Sequence, residues 1–182
     1  MMHYSPLKDR KEYQDKQIQE HKLDVEFIES YNREDLKDED KIKFSNKLGL
    51  GLISLTLKHF NAYEKISQNK DDFSLIFEDD VILDKDFNKK LNLAIDELPK
   101  DFDMLFIGYG CNIHAKGRRA GKLIYHETAS RGTGDYLVSK KCSQIATMED
   151  YKDVYKDLNW VGGPRGRATK SSIKKEEVMV FG

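Results

Sequence analysis

Glu78, Asp79 and Asp80 are the residues of this sequence whose types and spacing point most directly to chemistry. They stand inside Leu75-Ile76-Phe77-Glu78-Asp79-Asp80-Val81-Ile82-Leu83, where every other residue is hydrophobic. A solvated turn would mix in Gly, Asn, Ser or Lys. Burying carboxylates without partners costs several kcal/mol per group, so something must compensate them. A divalent cation is the simplest compensator. Hard oxygen ligands suit Mg²⁺ or Mn²⁺, which keep waters and bridge to a substrate's phosphates. If the triplet closes a strand, residues at i and i+2 point to one side, so Glu78 and Asp80 converge while Asp79 faces away. The alternative is structural: a strand-end acidic turn that caps helix N-termini or pairs with Lys85 or an arginine.

The elements that must position these groups alternate along the chain. Ser5-Pro6 supplies an N-cap and a first helical position for a helix to about Lys22. Val25–Ile28 reads as a weak strand, and the charged stretch 32–47 as a solvated loop with at most one helical turn. Between Lys47 and Gln68, Leu48, Leu52, Leu55, His59, Tyr63 and Ile66 recur at spacings of three and four, a helical stripe aimed at a core. Phe73–Phe77 is a short apolar run and reads as a buried strand. Asp84 can cap a helix carrying Phe87, Leu91, Ile95 and Leu98, which Pro99 closes. Met104–Ile107, Leu123–Tyr125 and Tyr136–Val138 are further strands, and Ser139 caps a helix over Lys140–Thr147. This alternation predicts an α/β sandwich with a largely parallel sheet, in which ligands gather at the carboxyl ends of the strands, where the acidic triplet falls.

Composition bounds the rest. A chain of 182 residues suits one domain with at most a short appendage. Leu, Ile, Val and Phe make up about a quarter of it, enough to argue against wholesale disorder. No apolar run reaches the ~18 residues of a membrane span, and MMHYSPLKDRK contains no signal-peptide hydrophobic stretch. The expectation is a cytoplasmic protein, at most peripherally associated with a membrane. Cys111 and Cys142 lack CxxC spacing and read as small reduced thiols. The net charge of −1 conceals 17 basic against 24 acidic residues over 1–109 and 14 against 8 over 110–182. Such an imbalance suits a metal on one side and phosphates steadied from the other, yet it is too diffuse for a nucleic-acid footprint. No GxxxxGK[ST] phosphate loop occurs, which argues against an unrelated phosphate-handling enzyme.

Phe77-Glu78-Asp79-Asp80-Val81, with Leu55-Thr56-Leu57-Lys58-His59 in the helix before it, resembles glycosyltransferase family 25, the lipooligosaccharide-biosynthesis and procollagen galactosyltransferase-like enzymes. Tyr4–Arg10 resembles that family's first strand and Arg-containing turn, Val25–Arg33 its second strand and polar loop, and Gly132–Ser139 its late GT-x-x-Y-x-x-S strand. The likeness runs over residues 3–147 in the right order. It implies a GT-A-like, Rossmann-type sandwich with a mostly parallel central sheet flanked by helices, spanning 1–150. Residues 151–182 then form a C-terminal extension, partly disordered or a truncated acceptor-side segment.

The activity implied is transfer of a hexose, galactose or glucose, from a UDP-sugar to a glycan or glycolipid acceptor such as lipopolysaccharide, with inversion. Mn²⁺ or Mg²⁺ would be held by Glu78, Asp79 and Asp80, with Tyr4, Pro6, Arg10, Tyr31 and Asp79 on the donor. An inverting displacement also needs a base for the acceptor hydroxyl, and Asp103, Asp135 and His59 all remain open. His59 reads equally as a core residue, and the family's Ser-His is Lys58-His59 here. Tyr31 and Asn32 end the second strand and either meet the nucleotide's base or lie in a solvent-facing loop, while Arg118, Arg119 and Arg131 either steady phosphates or serve solubility. Two departures favour a competing reading, a non-catalytic relative that keeps only nucleotide or glycan binding. Only Met1, Met2 and His3 precede Tyr4, which implies a truncated first strand or an upstream start. The stretch from Asp157 to Ser172 looks compressed relative to the family.

Overall fold

The computed structural model describes residues 1–44, 48–107, 115–119, 121–129, 134–148 and 178–181. Within them lie helices α1 (Lys8–His21), α2 (Asp38–Lys41), α3 (Leu50–Gln68), α4 (Phe87–Ile95) and α5 (Lys140–Ala146). The strands are β1 (Phe73–Phe77), β2 (Met104–Phe106), β3 (Ala115–Arg119), β4 (Ile124–Ala129), β5 (Asp135–Ser139) and β6 (Val178–Phe181). The fold is α/β.

The strands form one sheet in the order β1-β5-β2-β6-β4-β3. Its direction differs from the expected mostly parallel one. β5 lies between β1 and β2 and runs antiparallel to both. β4 runs antiparallel to β6 and to β3, and only the β2–β6 ladder is parallel. β1 and β2 therefore point the same way without touching. Parallel pairing recurs at the amino end, where Met2 bridges to both Ile28 and Glu78. The strand expected over Val25–Ile28 is reduced to that bridge at Ile28.

Period-two alternation in the central strands explains the layers. Met104, Phe106, Tyr136, Val138 and Ile76 pack with Tyr63 and Ile66 of α3, and Cys142 and Ala146 of α5 join them. Leu105 and Leu137 point to the opposite face, where Ala94 of α4 and Phe102 cover them. Central strands buried on both faces read as continuous apolar runs, which is why their position was legible. α3 is buried on more than its predicted stripe, because Ile53 and Leu57 also meet Leu36 in a third cluster.

Local chemistry sets the boundaries. Ser5-Pro6 makes a turn closed by Leu7 N–H donating to Tyr4 O at 2.9 Å, so α1 starts at Lys8. Asp84 precedes α4 instead of capping it: its carboxylate accepts from Asp86 N–H at 2.8 Å and pairs with Lys90 at 2.9 Å. Ser139 caps α5 as expected, accepting from Cys142 N–H at 3.1 Å. β3 and β6 had no counterpart in the sequence pattern. β6 joins the far C-terminal segment to β2 and β4, whereas the rest of 151–182, Cys111 and Arg131 lie outside the described residues. No helix among the described residues is long and apolar enough to cross a membrane.

Candidate functional site

The acidic triplet forms the turn after β1, and α1 holds it in place. Met2 N–H donates to Phe77 O at 2.8 Å and His3 N–H to Ile28 O at 3.0 Å, which brings His3 and Tyr4 alongside the turn. Asp79 is buried, and both its oxygens are engaged. Oδ2 meets His3 Nδ1 at 2.7 Å and accepts from Tyr4 N–H at 3.1 Å, while Oδ1 accepts from the Arg10 guanidinium at 2.7 Å. Burial alone would push this carboxyl up, but Arg10, the Tyr4 amide and His3 together hold it below the usual carboxylate value. The hydrogen bond to Asp79 in turn raises Arg10.

Two glutamines complete the hold. Gln14 Nε2 donates to Asp79 O at 3.0 Å and to Val81 O at 2.9 Å. Gln17 Nε2 donates to Val81 O at 3.0 Å, and its Oε1 accepts from Leu83 N–H at 2.7 Å. Arg10, Gln14 and Gln17 share one helical face at i, i+4 and i+7. That buried stripe is polar, so a search for apolar periodicity passes over it.

Glu78 and Asp80 are less enclosed than Asp79. Asp80 is mostly exposed, with 63% of its side-chain surface open and Arg10 at 3.8 Å. Glu78 Oε1 lies 3.9 Å from His59 Nε2. Asp135 opens β5 as the register partner of Phe77, and Glu78 N–H donates to Gly134 O at 2.7 Å. Burial first, then the charges of Glu78 and Asp80, push the Asp135 carboxyl up to about 6. The alternation read from the sequence does not extend to the triplet: residues 79 and 80 lie in a turn, not a strand, Arg10 reaches both Asp79 and Asp80, and Glu78 and Asp79 line one cavity.

His59 joins the core and the turn at once. It is buried, its Nδ1 meets Tyr136 OH at 2.8 Å, and Tyr136 OH meets Tyr63 OH at 2.7 Å. Asp103 is not brought to this place. It precedes β2, where its carbonyl accepts from Ser139 N–H at 3.0 Å. That is the amino end of the strand, and the register sets it four residues along β5 from Asp135, roughly 13 Å away.

Among the residues expected on the donor, Tyr4 stands with its ring under the Arg33 guanidinium at 4.4 Å. Its hydroxyl donates to Glu34 at 2.5 Å and accepts from Arg33 Nε at 3.0 Å. Pro6 is exposed in the turn before α1. Arg10 binds the carboxylates of the turn. Tyr31 adopts the left-handed backbone, with φ of 60°, and its carbonyl accepts from Ser54 Oγ at 2.5 Å. Arg119 closes the β3–β4 turn through Gly121 O and Lys122 O, both at 2.8 Å.

Lys58 is a residue that sequence reasoning noted only as a departure from the family pattern. It is buried, and its ammonium donates to Ser30 O at 2.6 Å and Asn32 Oδ1 at 3.2 Å. Burial lowers it to about 8 against the opposing charges of Asp79, Glu29 and Asp35. A lysine within a buried helical segment was the available signal.

Two cavities of about 250 Å³ each flank the turn. One is lined by His3, Tyr4, Arg33, Ser54, Lys58, Glu78 and Asp79. The other lies beyond the turn against Phe77, Val81, Leu83, Phe87, Ile107 and Asp135. The turn thus stands between a cavity with cationic walls and a mainly apolar one with an acid at its edge. Among the described residues, no three His, Cys, Asp or Glu side chains are close enough to form a cation site by themselves.

The profile of glycosyltransferase family 25 (LPS biosynthesis protein) matches residues 6–115. The chain belongs to that family. A search of curated proteins finds no match. A family 25 chain is a glycosyltransferase, so a sugar donor and an acceptor are its substrates. The match covers Arg10, Gln14, Lys58, His59 and the whole acidic turn, while His3, Tyr4 and Asp135 lie outside it.

Proposed function

We propose that this transferase moves a hexose, galactose or glucose, from a UDP-sugar to a glycan or glycolipid acceptor such as lipopolysaccharide, with inversion and with Mn²⁺ or Mg²⁺ at the acidic turn. The reading includes a GT-A-like sandwich and a cytoplasmic reaction at a membrane surface. The observation that carries it is the acidic turn closing β1 beside Asp135 at the start of β5, set between two cavities, where burial first and then the charges of Glu78 and Asp80 raise Asp135 to about 6.

Unlike a structural zinc cage, a Mg²⁺ or Mn²⁺ site of this kind needs only one or two carboxylates, the rest being waters and substrate phosphates. The residues fit that mode through Asp80 and Glu78. Asp79, expected among the ligands, is already paired with Arg10 and hydrogen-bonded to His3, and serves to set the turn. A bound cation would neutralise the charge that develops on the departing diphosphate.

The chain's own residues supply the rest. Tyr4, Arg33 and Lys58 offer the nucleotide a stacking ring and cationic walls. Asp135, at the edge of the second cavity, takes the acceptor hydroxyl's proton on its carboxylate, and a value near 6 suits a base that must be free at neutral pH. His59, with Tyr136 and Tyr63 behind it, keeps Glu78 in place from the core.

Isothermal titration with UDP, with and without Mn²⁺, tests the reading. Binding that requires the metal is expected, followed by sugar transfer in a screen of UDP-hexoses. A folded sample that binds UDP under neither condition would overturn the donor assignment, and binding without any transfer would leave the non-catalytic relative.

A further inference from the structure

Ser54 and Lys58 stand one turn apart on α3 and face the segment that carries Arg33 to the wall of the cavity beside Tyr4 and Glu78. Ser54 Oγ donates to Tyr31 O at 2.5 Å. The Lys58 ammonium donates to Ser30 O at 2.6 Å, to Asn32 Oδ1 at 3.2 Å and to Ile28 O at 3.4 Å. An ammonium has three N–H groups and accepts nothing. These three oxygens therefore take all of them, and none is left for a ligand. None of the three is a carboxylate, so the bonds hold neutral parts of the chain in place. Three acceptors converging on one atom need the three donors that only an ammonium brings.

Asn32 passes this restraint onward. It is buried, and its Oδ1 also accepts from Ser5 N–H at 3.4 Å. Its Nδ2 donates to Ser5 Oγ at 3.1 Å and to Asp35 Oδ2 at 3.2 Å. Asp35 N–H closes the turn on Asn32 O at 2.9 Å. Tyr4 precedes Ser5 and Arg33 follows Asn32, so one amide side chain sets the spacing between the Tyr4 ring and the guanidinium that covers it at 4.4 Å. Tyr31, between Ser30 and Asn32, keeps left-handed backbone, which a tyrosine holds only where the chain is fixed on both sides.

We infer that Lys58 is a positioning residue for the donor: through Asn32 it sets the wall of Tyr4 and Arg33, and it makes no hydrogen bond to the phosphates. The inference rests on the reading that the nucleotide enters this cavity. Its charge lies in the wall, but its donors belong to the segment behind. Without that restraint the wall takes its binding geometry only part of the time, and the apparent affinity falls by the same fraction.

Lys58→Met, Asn32→Ala and the double variant of the full chain test this. Each is compared with the parent by calorimetric titration of UDP with Mn²⁺, at a temperature where circular dichroism shows it folded. Asn32→Ala removes no charge, yet it should weaken UDP about as much as Lys58→Met, each by about tenfold. The double variant should bind no more weakly than the weaker single one, because both act through one network. Hydrogen exchange at the Asp35 amide, which needs no ligand, should quicken at least about tenfold in Lys58→Met. A far larger loss in Lys58→Met than in Asn32→Ala would overturn the inference, since the lysine would then be a phosphate ligand. Losses that multiply in the double variant, or an Asp35 amide that exchanges as in the parent, would overturn it too. Asn32→Ala leaves α3 untouched and carries the test should Lys58→Met not fold; parental affinity in that variant sinks the inference alone. A parent that binds no UDP overturns the donor reading, and this inference with it.

Discussion

Gln14→Leu is the substitution for which the structure gives the clearest arithmetic. The side chain is almost fully buried and spans the acidic turn, donating to Asp79 O and Val81 O. Leucine keeps the volume and removes both donors. Val81 O retains the bond from Gln17 Nε2, so it remains satisfied. Asp79 O has no such reserve among the described residues and is left as a buried acceptor, costing about 1–3 kcal/mol. The bond between Gln17 Nε2 and Gln14 Oε1, at 2.7 Å, is lost as well, at about 1 kcal/mol. A total near 2–4 kcal/mol lowers the melting temperature of a chain this size by about 5–15 °C. Gln14→Glu should be worse, since it sets carboxylate oxygens against carbonyl oxygens. Thermal melting followed by near-UV circular dichroism measures the loss, and hydrogen exchange at the Leu83 amide, which rests on Gln17, shows whether the turn itself has loosened. A Gln14→Leu protein that melts within about 1 °C of the parent, with Leu83 still protected, would refute the clamp.

Asp80→Asn should abolish metal-dependent UDP binding in calorimetry while leaving the melting temperature within about 2 °C, because this side chain is mostly exposed. Asp79→Asn should cost about 2–4 kcal/mol in denaturant titration, since it breaks the contacts to Arg10 and His3. The parent carboxyl is held below its unfolded value of 3.8, so its contribution is present above that pH and is lost as pH falls below it, a step the variant should lack. Asp135 has the opposite sign. Raised from 3.8 to about 6, it makes the folded state favour the proton, so its contribution is full below 3.8 and is lost as pH rises to about 6. Asp135→Asn should therefore melt higher than the parent at pH 7.5, by at most about 3 kcal/mol before solvent screening, and converge with it near pH 4. It should also lose sugar transfer, and an Asp135→Asn enzyme with parental turnover would remove that residue from the base role.

The parts of the fold legible in the sequence are those where burial imposes a period. β1 and β5 are short apolar runs, α3 shows its stripe at three and four, and Ser139 marks the start of α5 with a side chain that reaches its own backbone. The direction of β5 was not legible, because strands buried on both faces look the same whichever way they run. The acidic turn announced itself by composition, but the alternation of strand side chains did not carry into it, since residues 79 and 80 lie in a turn past the end of β1. What stabilises Asp79 was hidden, since Arg10, Gln14 and Gln17 form a polar stripe on a helix of low overall hydrophobicity. Asp103 looked like Asp135 in type, and only the sheet register separates the two ends of the strands. The role of Lys58 was hidden for a similar reason: three backbone and side-chain acceptors at 28–32 take its ammonium inside, and none of them stands near it in sequence.

The position of β5 has a consequence for the chain during its synthesis. β1 and β2 are complete once residue 106 has been made, yet neither touches the other, and the strand that joins them is not finished until Ser139. Over the intervening stretch two apolar strands present open edges, the arrangement most prone to pair with a neighbouring chain. Glu78 and Asp135 meet only when β5 inserts, so the nascent protein has no assembled acidic edge until that moment. Early termination anywhere before residue 139 would leave a fragment that is both inactive and sticky, a product for the cell's proteases.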